Sequence, residues 1–353
     1  MSQTTQSVPQ RAYRFPSGVT LRIRSAQKAI LAHFDGEYGS ARADDVAADI
    51  EVYAGKTAIS ASRQAEAHGT AYEGRHKVVR WRVSVSDVSK ATTYVGFEGS
   101  GQLVISFLQT FYVEPLLRLK IAARDHALVH AACVAKGGRS VIFPAGSAVG
   151  KSTLTLRHAA SGEYVQGDNY VILTPDGRTL AFPRRMRIYS DLPEINPDVY
   201  RLMPRREQLR LRWAGIIRRL SLGYANMPRR LALEQVLDGK NPVLPEAQLD
   251  SVYLLKAYEG EGLSAPASRS KEDAIERIQE IGAREGDRLC EALSSSAKEE
   301  LESATQEALR RERDVLAGAL DGVKIFELLV PRVRNPLPVV EEIRRVTGLT
   351  GGA

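Results

Sequence analysis

Short runs of β-branched and aromatic residues, Val19 to Ile23, Val78 to Val85 and Leu103 to Phe107, alternate with polar turns between residues 11 and 124. This pattern predicts a mostly β amino-terminal domain. The polar residues 1–10 read as a flexible tail ahead of it. Phe111 to Ala123 repeats its apolar positions at helical spacing and predicts a helix leading out of that domain. Beyond it the pattern changes. Leu128 to Ala135 is apolar, Lys136-Gly137-Gly138 is a tight-turn signal, and Ser140 to Phe143 is a second short run, so a hairpin is predicted. Ser152 to Ala160 is a glycine-free helical stretch closed by Ser161-Gly162. Glu163 to Leu173 reads as a strand carrying Asp168, and Pro175-Asp176-Gly177 turns the chain into Thr179 to Phe182. Ser251 to Lys256 and Val323 to Val330 are further strands, with a Gly/Ser/Pro loop over Gly260 to Ser270. Glu272 to Leu320 is helical in composition, with breaks expected near Gly282, Gly286 and Ser294 to Ser296, and Pro338 to Val346 is a last helix. The predicted organisation is a second, α/β domain over 125–346, carrying a helical insertion at 200–245 and the helical segment 272–320.

Charge changes the picture in one place. The chain of 353 residues has a net charge of +7, and residues 201–230 hold nine arginines against the single acid Glu207, which is +8 and leaves the remainder at −1. Inside that stretch Leu209, Trp213, Ile216, Ile217 and Leu220 recur at helical spacing, with Pro204 placed to start the helix. A basic amphipathic helix of this kind suits an acidic peptide, a polyphosphate, an anionic membrane or nucleic acid; equally, it is a solvated basic face over an ordinary core stripe. RNA-type aromatic motifs and zinc-finger spacings are missing, which argues against nucleic acid. The two cysteines, Cys133 and Cys290, lie far apart, and the six histidines show no paired-ligand spacing, so neither a disulfide framework nor a structural metal is expected. No signal-peptide core and no run of about 20 apolar residues occurs, so a cytoplasmic protein is expected. A homo-oligomer is compatible with the sequence.

The candidate chemistry sits in Phe143-Pro144-Ala145-Gly146-Ser147-Ala148-Val149-Gly150-Lys151-Ser152-Thr153. The order strand, glycine-containing loop, Lys-Ser, helix is that of a nucleoside-triphosphate phosphate loop. Gly146 and Gly150 allow the backbone to curl and aim its N–H groups at phosphate oxygens, Lys151 reaches the β- and γ-phosphates, and Ser152 ligates Mg²⁺. Ala145 stands where the strict motif has its first glycine. Residues 146–153 are therefore the expected nucleotide contacts, and Ser152 with Asp168 the expected metal ligands. No NKxD-like guanine-reading motif is present, which favours ATP over GTP.

A histidine on the preceding strand (His130), the strand turn, the phosphate loop and an acid sixteen residues after Ser152 (Asp168) together resemble the catalytic domain of HPr kinase/phosphorylase and its kinase-like relatives. The resemblance covers about residues 126–190. It implies a phosphoenolpyruvate-carboxykinase-like nucleotide fold, with Asp168 as the first of the family's paired aspartates, beside the transferring phosphoryl group and deprotonating the attacking hydroxyl. Asn169 stands where the second aspartate is usual, and Thr153 replaces an acidic residue found in the HPr enzymes. Those departures imply a relative of the HPr kinases and not one of them.

The expected function is that of an ATP-dependent kinase transferring the γ-phosphate to a hydroxyl of a small protein, a peptide or a small-molecule acceptor, with Asp168, His130 and Lys151 as catalytic residues. Asp168 also reads as a Mg²⁺ or Mg²⁺-water ligand, and the two roles are compatible. His130 reads equally as a hydrogen-bonded core histidine. Arg184, Arg185, Arg205, Arg206, Arg210 and Arg212 are the candidate contacts to an anionic acceptor. The alternative is a nucleotide-binding regulatory or scaffold module without phosphoryl transfer, to which Ala145 and Asn169 point.

Overall fold

A computed structural model describes residues 8–44, 46–55, 72–76, 79–146, 149–221, 228–291 and 295–349. The protein is a mixed α/β protein that separates into two compact units, one of residues 1–127 with 282–314 and one of residues 128–281 with 315–353. The helical segment assigned from sequence to the second domain is thus shared between the two.

In the first unit the elements in chain order are β1 (Gln10–Arg14), β2 (Thr20–Arg24), α1 (Lys28–Tyr38), β3 (Arg42–Ala43), β4 (Ile50–Ala54), β5 (Tyr72–His76), β6 (Val79–Ser86) and β7 (Thr93–Glu98). A continuous helical stretch follows, made of α2 (Gln102–Phe107), a π-helical turn (Leu108–Val113) and α3 (Glu114–Ala122). The strands form a seven-stranded sheet in the order β3-β1-β2-β4-β7-β6-β5. Residues 9 and 10, expected in a tail, are already tied in: Gln10 lies opposite Arg24 and the Pro9 carbonyl accepts a hydrogen bond from the Ser25 amide. Leu103 to Phe107, expected as a strand, is helix instead. Val104, Ile105, Leu108, Tyr112, Val113, Leu116 and Leu117 are all buried. That spacing over the longer window is helical and outweighs the local β-branched run.

The second unit begins with β8 (Ala127–Val129), β9 (Ala131–Lys136), β10 (Arg139–Pro144), α4 (Lys151–Ala160), β11 (Tyr164–Gly167), β12 (Val171–Leu173) and β13 (Arg178–Ala181). It continues through β14 (Met186–Ile188), α5 (Leu192–Ile195), α6 (Pro197–Leu202), α7 (Arg205–Leu220), β15 (Arg229–Leu231), α8 (Leu233–Val236), β16 (Glu246–Tyr258) and β17 (Ala267–Ser268). The chain ends with α9 (Lys271–Glu291), α10 (Ser295–Ala319), β18 (Lys324–Pro331) and α11 (Leu337–Val346). Its nine-stranded mixed sheet runs β11-β9-β10-β16-β13-β12-β8, with β18 parallel to β16 and β17 on β18. The hairpin β9–β10 turns through Gly137 and Gly138 at φ +57° and +77°, the paired left-handed conformation that a two-residue hairpin loop demands. Phe143, Tyr253 and Phe326 stack in a row across β10, β16 and β18, with centroids 5.8 and 5.1 Å apart.

Two further expectations are corrected. Glu163 to Leu173 is not one strand: β11 and β12 are separated by a bend at residues 168–170. Gly167 permits that bend, since a Cβ there would lie 2.0 Å from the carbonyl oxygen of Tyr170. Gly282 and Gly286 do not break the helix, as both lie inside α9. Within the first unit a Cβ on Gly282 would meet the Arg118 guanidinium at 2.6 Å, so that glycine serves close packing. Arg118 in turn forms a forked pair with the buried Glu312, at 2.7 and 2.6 Å. Of the third expected break, Ser294 lies outside the described residues.

Candidate functional site

Strand register alone gathers the site. In the β9–β10 hairpin Ala131 lies opposite Pro144, and β11 runs antiparallel to β9 with Gly167 opposite Cys133. The carboxyl ends of β10 and β11 and the amino end of β9 therefore meet at one end of the sheet. The loop that follows β10, His130 just before β9, and Asp168 just after β11 are delivered to the same place. Beneath them a buried polar group joins the strands. Gln166 donates to the Thr179 carbonyl at 2.9 Å, the Thr179 hydroxyl lies 2.5 Å from Gln166 Oε1 and 2.8 Å from Ser140 Oγ, and the Cys133 thiol donates to Gln166 Oε1. Burial pushes the Cys133 thiol up from its ordinary pKa, which keeps it protonated and unreactive.

Ala145 is fully buried at the end of β10, so the position of the missing motif glycine is a packed one. Gly150 takes φ +86°, ψ +10°, and a Cβ there would sit 3.2 Å from Val340 and 3.4 Å from Pro336, at the start of α11. Backbone conformation and space both require glycine. Lys151 opens α4 and is 7% exposed, its ammonium donating to the carbonyls of Ala145 at 2.7 Å and Gly146 at 2.6 Å. The cation is thereby held over the loop, next to the N–H groups that begin the helix. Gly146 is exposed, Val149 is buried and Thr153 is half-buried on the first turn. The predicted contacts Ser147 and Ala148 lie outside the described residues.

Ser152 donates its hydroxyl to Asp168 Oδ2 at 3.0 Å, which joins the two predicted metal ligands across the sequence. Asp168 is only 8% exposed, and its Oδ1 is buried with no hydrogen-bond partner among the described residues. Burial raises the Asp168 carboxyl above its ordinary pKa, against the Ser152 hydroxyl and the fields of Lys151, Arg184 and His130, which act to lower it. A buried carboxylate oxygen lacking a donor, beside a serine hydroxyl, fits a hard cation that takes oxygen ligands. Among the described residues no three or more His, Cys, Asp or Glu side chains cluster as metal ligands. The donor set suits Mg²⁺, which is commonly bound by one or two protein oxygens together with substrate phosphates.

His130 packs edge-to-face on Tyr170 with centroids 5.5 Å apart, and Arg184 lies over the same ring at 5.0 Å. Tyr170 thus links the histidine and the arginine to the Asp168 bend, a role that sequence reasoning missed; its place two residues beyond Asp168 was the available signal. Arg185 has its buried Nε without a hydrogen-bond partner among the described residues. Asn169 holds the bend to the sheet through its carbonyl, which accepts from the Ala131 amide at 3.1 Å. The other candidate acceptor contacts lie on α7. Arg210 pairs with Glu207 and Arg212 donates to the Tyr200 hydroxyl at 2.9 Å, while Arg205 and Arg206 are exposed. None of these four forms an ion pair or hydrogen bond with Lys151, Ser152 or Asp168 among the described residues.

No protein-family model matches the sequence, and comparison with curated proteins finds no match.

Proposed function

We propose that the second unit is a phosphoenolpyruvate-carboxykinase-like nucleotide domain that binds Mg²⁺·ATP on the 145–153 loop and transfers the γ-phosphate to an acceptor hydroxyl. The observation that carries this reading is the Ser152–Asp168 pair: a serine at the start of the loop helix bonded to a buried carboxylate whose second oxygen lacks a donor. The antiparallel hairpin feeding the loop supports the fold assignment, since in the common nucleotide folds the strand entering such a loop follows a helix. When bound, Mg²⁺ supplies neutralisation of charge on the β- and γ-phosphate oxygens. Ser152 and Asp168 would hold the metal. Lys151 and the first N–H groups of α4 bind and orient the phosphates. Asp168, kept basic by burial, accepts the proton of the acceptor hydroxyl. Arg184, braced on Tyr170, adds positive charge beside Asp168. His130 packs edge-to-face on the same tyrosine and biases the carboxylate toward its ionised form.

The test is calorimetric titration of Mg²⁺·ATP into the intact protein and a Lys151→Ala variant, followed by an acceptor screen with γ-labelled ATP. Binding that depends on Lys151 together with label transfer to a hydroxyl supports the kinase. Unchanged affinity in a folded Lys151→Ala protein sinks it. A second reading, a nucleotide-binding module without transfer, is favoured by Asn169, whose amide cannot serve as the second carboxylate. Lys151-dependent ATP binding without transfer to any acceptor would select it.

A further inference from the structure

Helix α7 is turned the opposite way from an ordinary surface helix. Its five large apolar residues, Leu209, Trp213, Ile216, Ile217 and Leu220, fall on one stripe and are 56%, 64%, 44%, 52% and 81% exposed. The side facing the body carries the fully buried Leu211 together with the half-buried Ala214 and Gly215, the latter beside Ser190. Polar groups fasten that inner side: Glu207 pairs with Arg210 and Arg229, Arg218 with Asp191, and Arg212 with the Tyr200 hydroxyl. An amphipathic helix of a globular unit normally buries its apolar stripe. Here several hundred Å² of contiguous apolar surface face outward, the scale at which an exposed patch marks an interaction site.

The charges on either side of the stripe identify its occupant. On a 100° per residue projection of the helix the exposed Arg206 lies along one flank and the exposed Arg205 and Arg219 along the other, Arg219 also lying 3.6 Å from Glu194, while Arg210 and Arg212 are held by Glu207 and Tyr200. The only acid of the helix, Glu207, is turned inward. A second copy of the chain would set one strongly basic helix against another, so self-association through this face is opposed by charge. A protein groove would need acidic walls on both sides of an apolar floor. A planar anionic surface satisfies all of these features at once: the stripe enters the acyl boundary, Trp213 sits at the interface, and the guanidiniums on both flanks reach lipid phosphates. The helix, 16 residues and about 24 Å long, is long enough to lie in that plane. We propose that α7 docks the protein peripherally on an anionic membrane, with Leu209, Trp213, Ile216, Ile217 and Leu220 inserted and the flanking arginines on the headgroups. The proposal is independent of the phosphoryl-transfer reading.

Intact protein is mixed with phosphatidylcholine vesicles with and without roughly a third phosphatidylserine, and partition is read by co-sedimentation. Binding is expected to the anionic vesicles only and to weaken as salt is raised. The chain has two tryptophans; Trp81 is buried and donates to the Tyr112 hydroxyl, so a blue shift of emission on binding reports Trp213 and disappears in Trp213→Phe. Trp213→Ser with Ile217→Ser lowers partition by about tenfold or more, and Arg205→Gln, Arg206→Gln and Arg219→Gln together by on the order of a hundredfold. All five positions are exposed, and an unchanged thermal midpoint checks the fold. Equal partition onto both kinds of vesicle overturns the proposal, as does binding to neither. Dimerisation, or capture of an acidic protein, that is lost in these variants without any vesicle binding by the wild type also overturns it.

Discussion

Replacing Asp168 by Asn separates the cost of the candidate site from its use. The wild-type carboxylate is buried, one of its oxygens lacks a donor, and its pKa is raised although Ser152, Lys151, Arg184 and His130 all act to lower it. Desolvation therefore exceeds the summed attractions, and the ionised form is a net liability to the folded protein. The sign follows by linkage. A carboxyl raised on folding contributes stability that is complete below its unfolded pKa and is lost as pH rises through the folded value, so near pH 7.5 the wild type carries the penalty. Asparagine keeps the shape and the acceptor for the Ser152 hydroxyl while removing the charge. An unpaired buried amide costs about 1–3 kcal/mol, less than the several kcal/mol of an under-compensated buried ion. Recovering about 1 kcal/mol would raise the midpoint of a unit this size by about 2–4 °C. Transfer should fall by about 10²–10⁴, the usual cost of losing a general base. The assay is thermal unfolding of both proteins at pH 7.5, with and without Mg²⁺·ATP, beside label transfer. The variant should melt at or above the wild type without ligand and gain less from Mg²⁺·ATP. A variant that melts below the wild type without ligand refutes the account of Asp168 as a destabilised, ligand-seeking carboxylate, and wild-type transfer rates refute its role as base.

Three further outcomes are expected. Gly150→Ala should lose about 1–2 kcal/mol from its left-handed backbone alone, with further loss from the contacts at Val340 and Pro336, and should weaken ATP binding; denaturant unfolding and calorimetry check both. Glu312→Ala should destabilise the first unit by about 1.5–3 kcal/mol, because it removes the buried forked pair with Arg118, and a urea midpoint equal to wild type would show the pair to be dispensable. His158 on α4 is buried and its pKa is pushed down from 6.5 to about 4 by burial, so the unfolded chain binds the extra proton first; stability should be full above pH 6.5 and fall between there and pH 4 by up to about 3 kcal/mol, a slope that His158→Gln should flatten.

The strands flanking the site were legible because their apolar runs are short and bounded by turn residues whose geometry is local. Gly137-Gly138 announces its hairpin from two residues. The segment over Leu103 to Phe107 was misread because a five-residue apolar run does not distinguish strand from helix, and its period emerges only when Leu108 to Leu117 is included. Gly282 and Gly286 were misread for a different reason. A glycine in a helical pattern signals either a break or a close neighbour, and for Gly282 the neighbour is Arg118, more than 160 residues away in sequence. At the candidate site, the loop and Asp168 stood out by residue type and spacing. The bond between Ser152 and Asp168 depends on the register of β9 against β10 and β11, a pairing no local pattern encodes.

The arginine helix marks where periodicity stops being informative. Spacing located the stripe from Leu209 to Leu220 correctly, but a period is symmetric under rotation of the helix about its axis and cannot say which face is buried. What decides is the inner side: Leu211 fills the core, Glu207 finds Arg229, and Arg218 finds Asp191. Rotating the helix to bury Trp213 and Leu220 would expose Leu211 and break the Glu207–Arg229 and Arg218–Asp191 pairs. The outward stripe is therefore a consequence of what the opposite face buries and pairs, and shortening Trp213, 64% exposed, should leave folding stability nearly unchanged while altering whatever the helix binds. A loss above about 1 kcal/mol for Trp213→Ser would show that the stripe is packed within the fold after all.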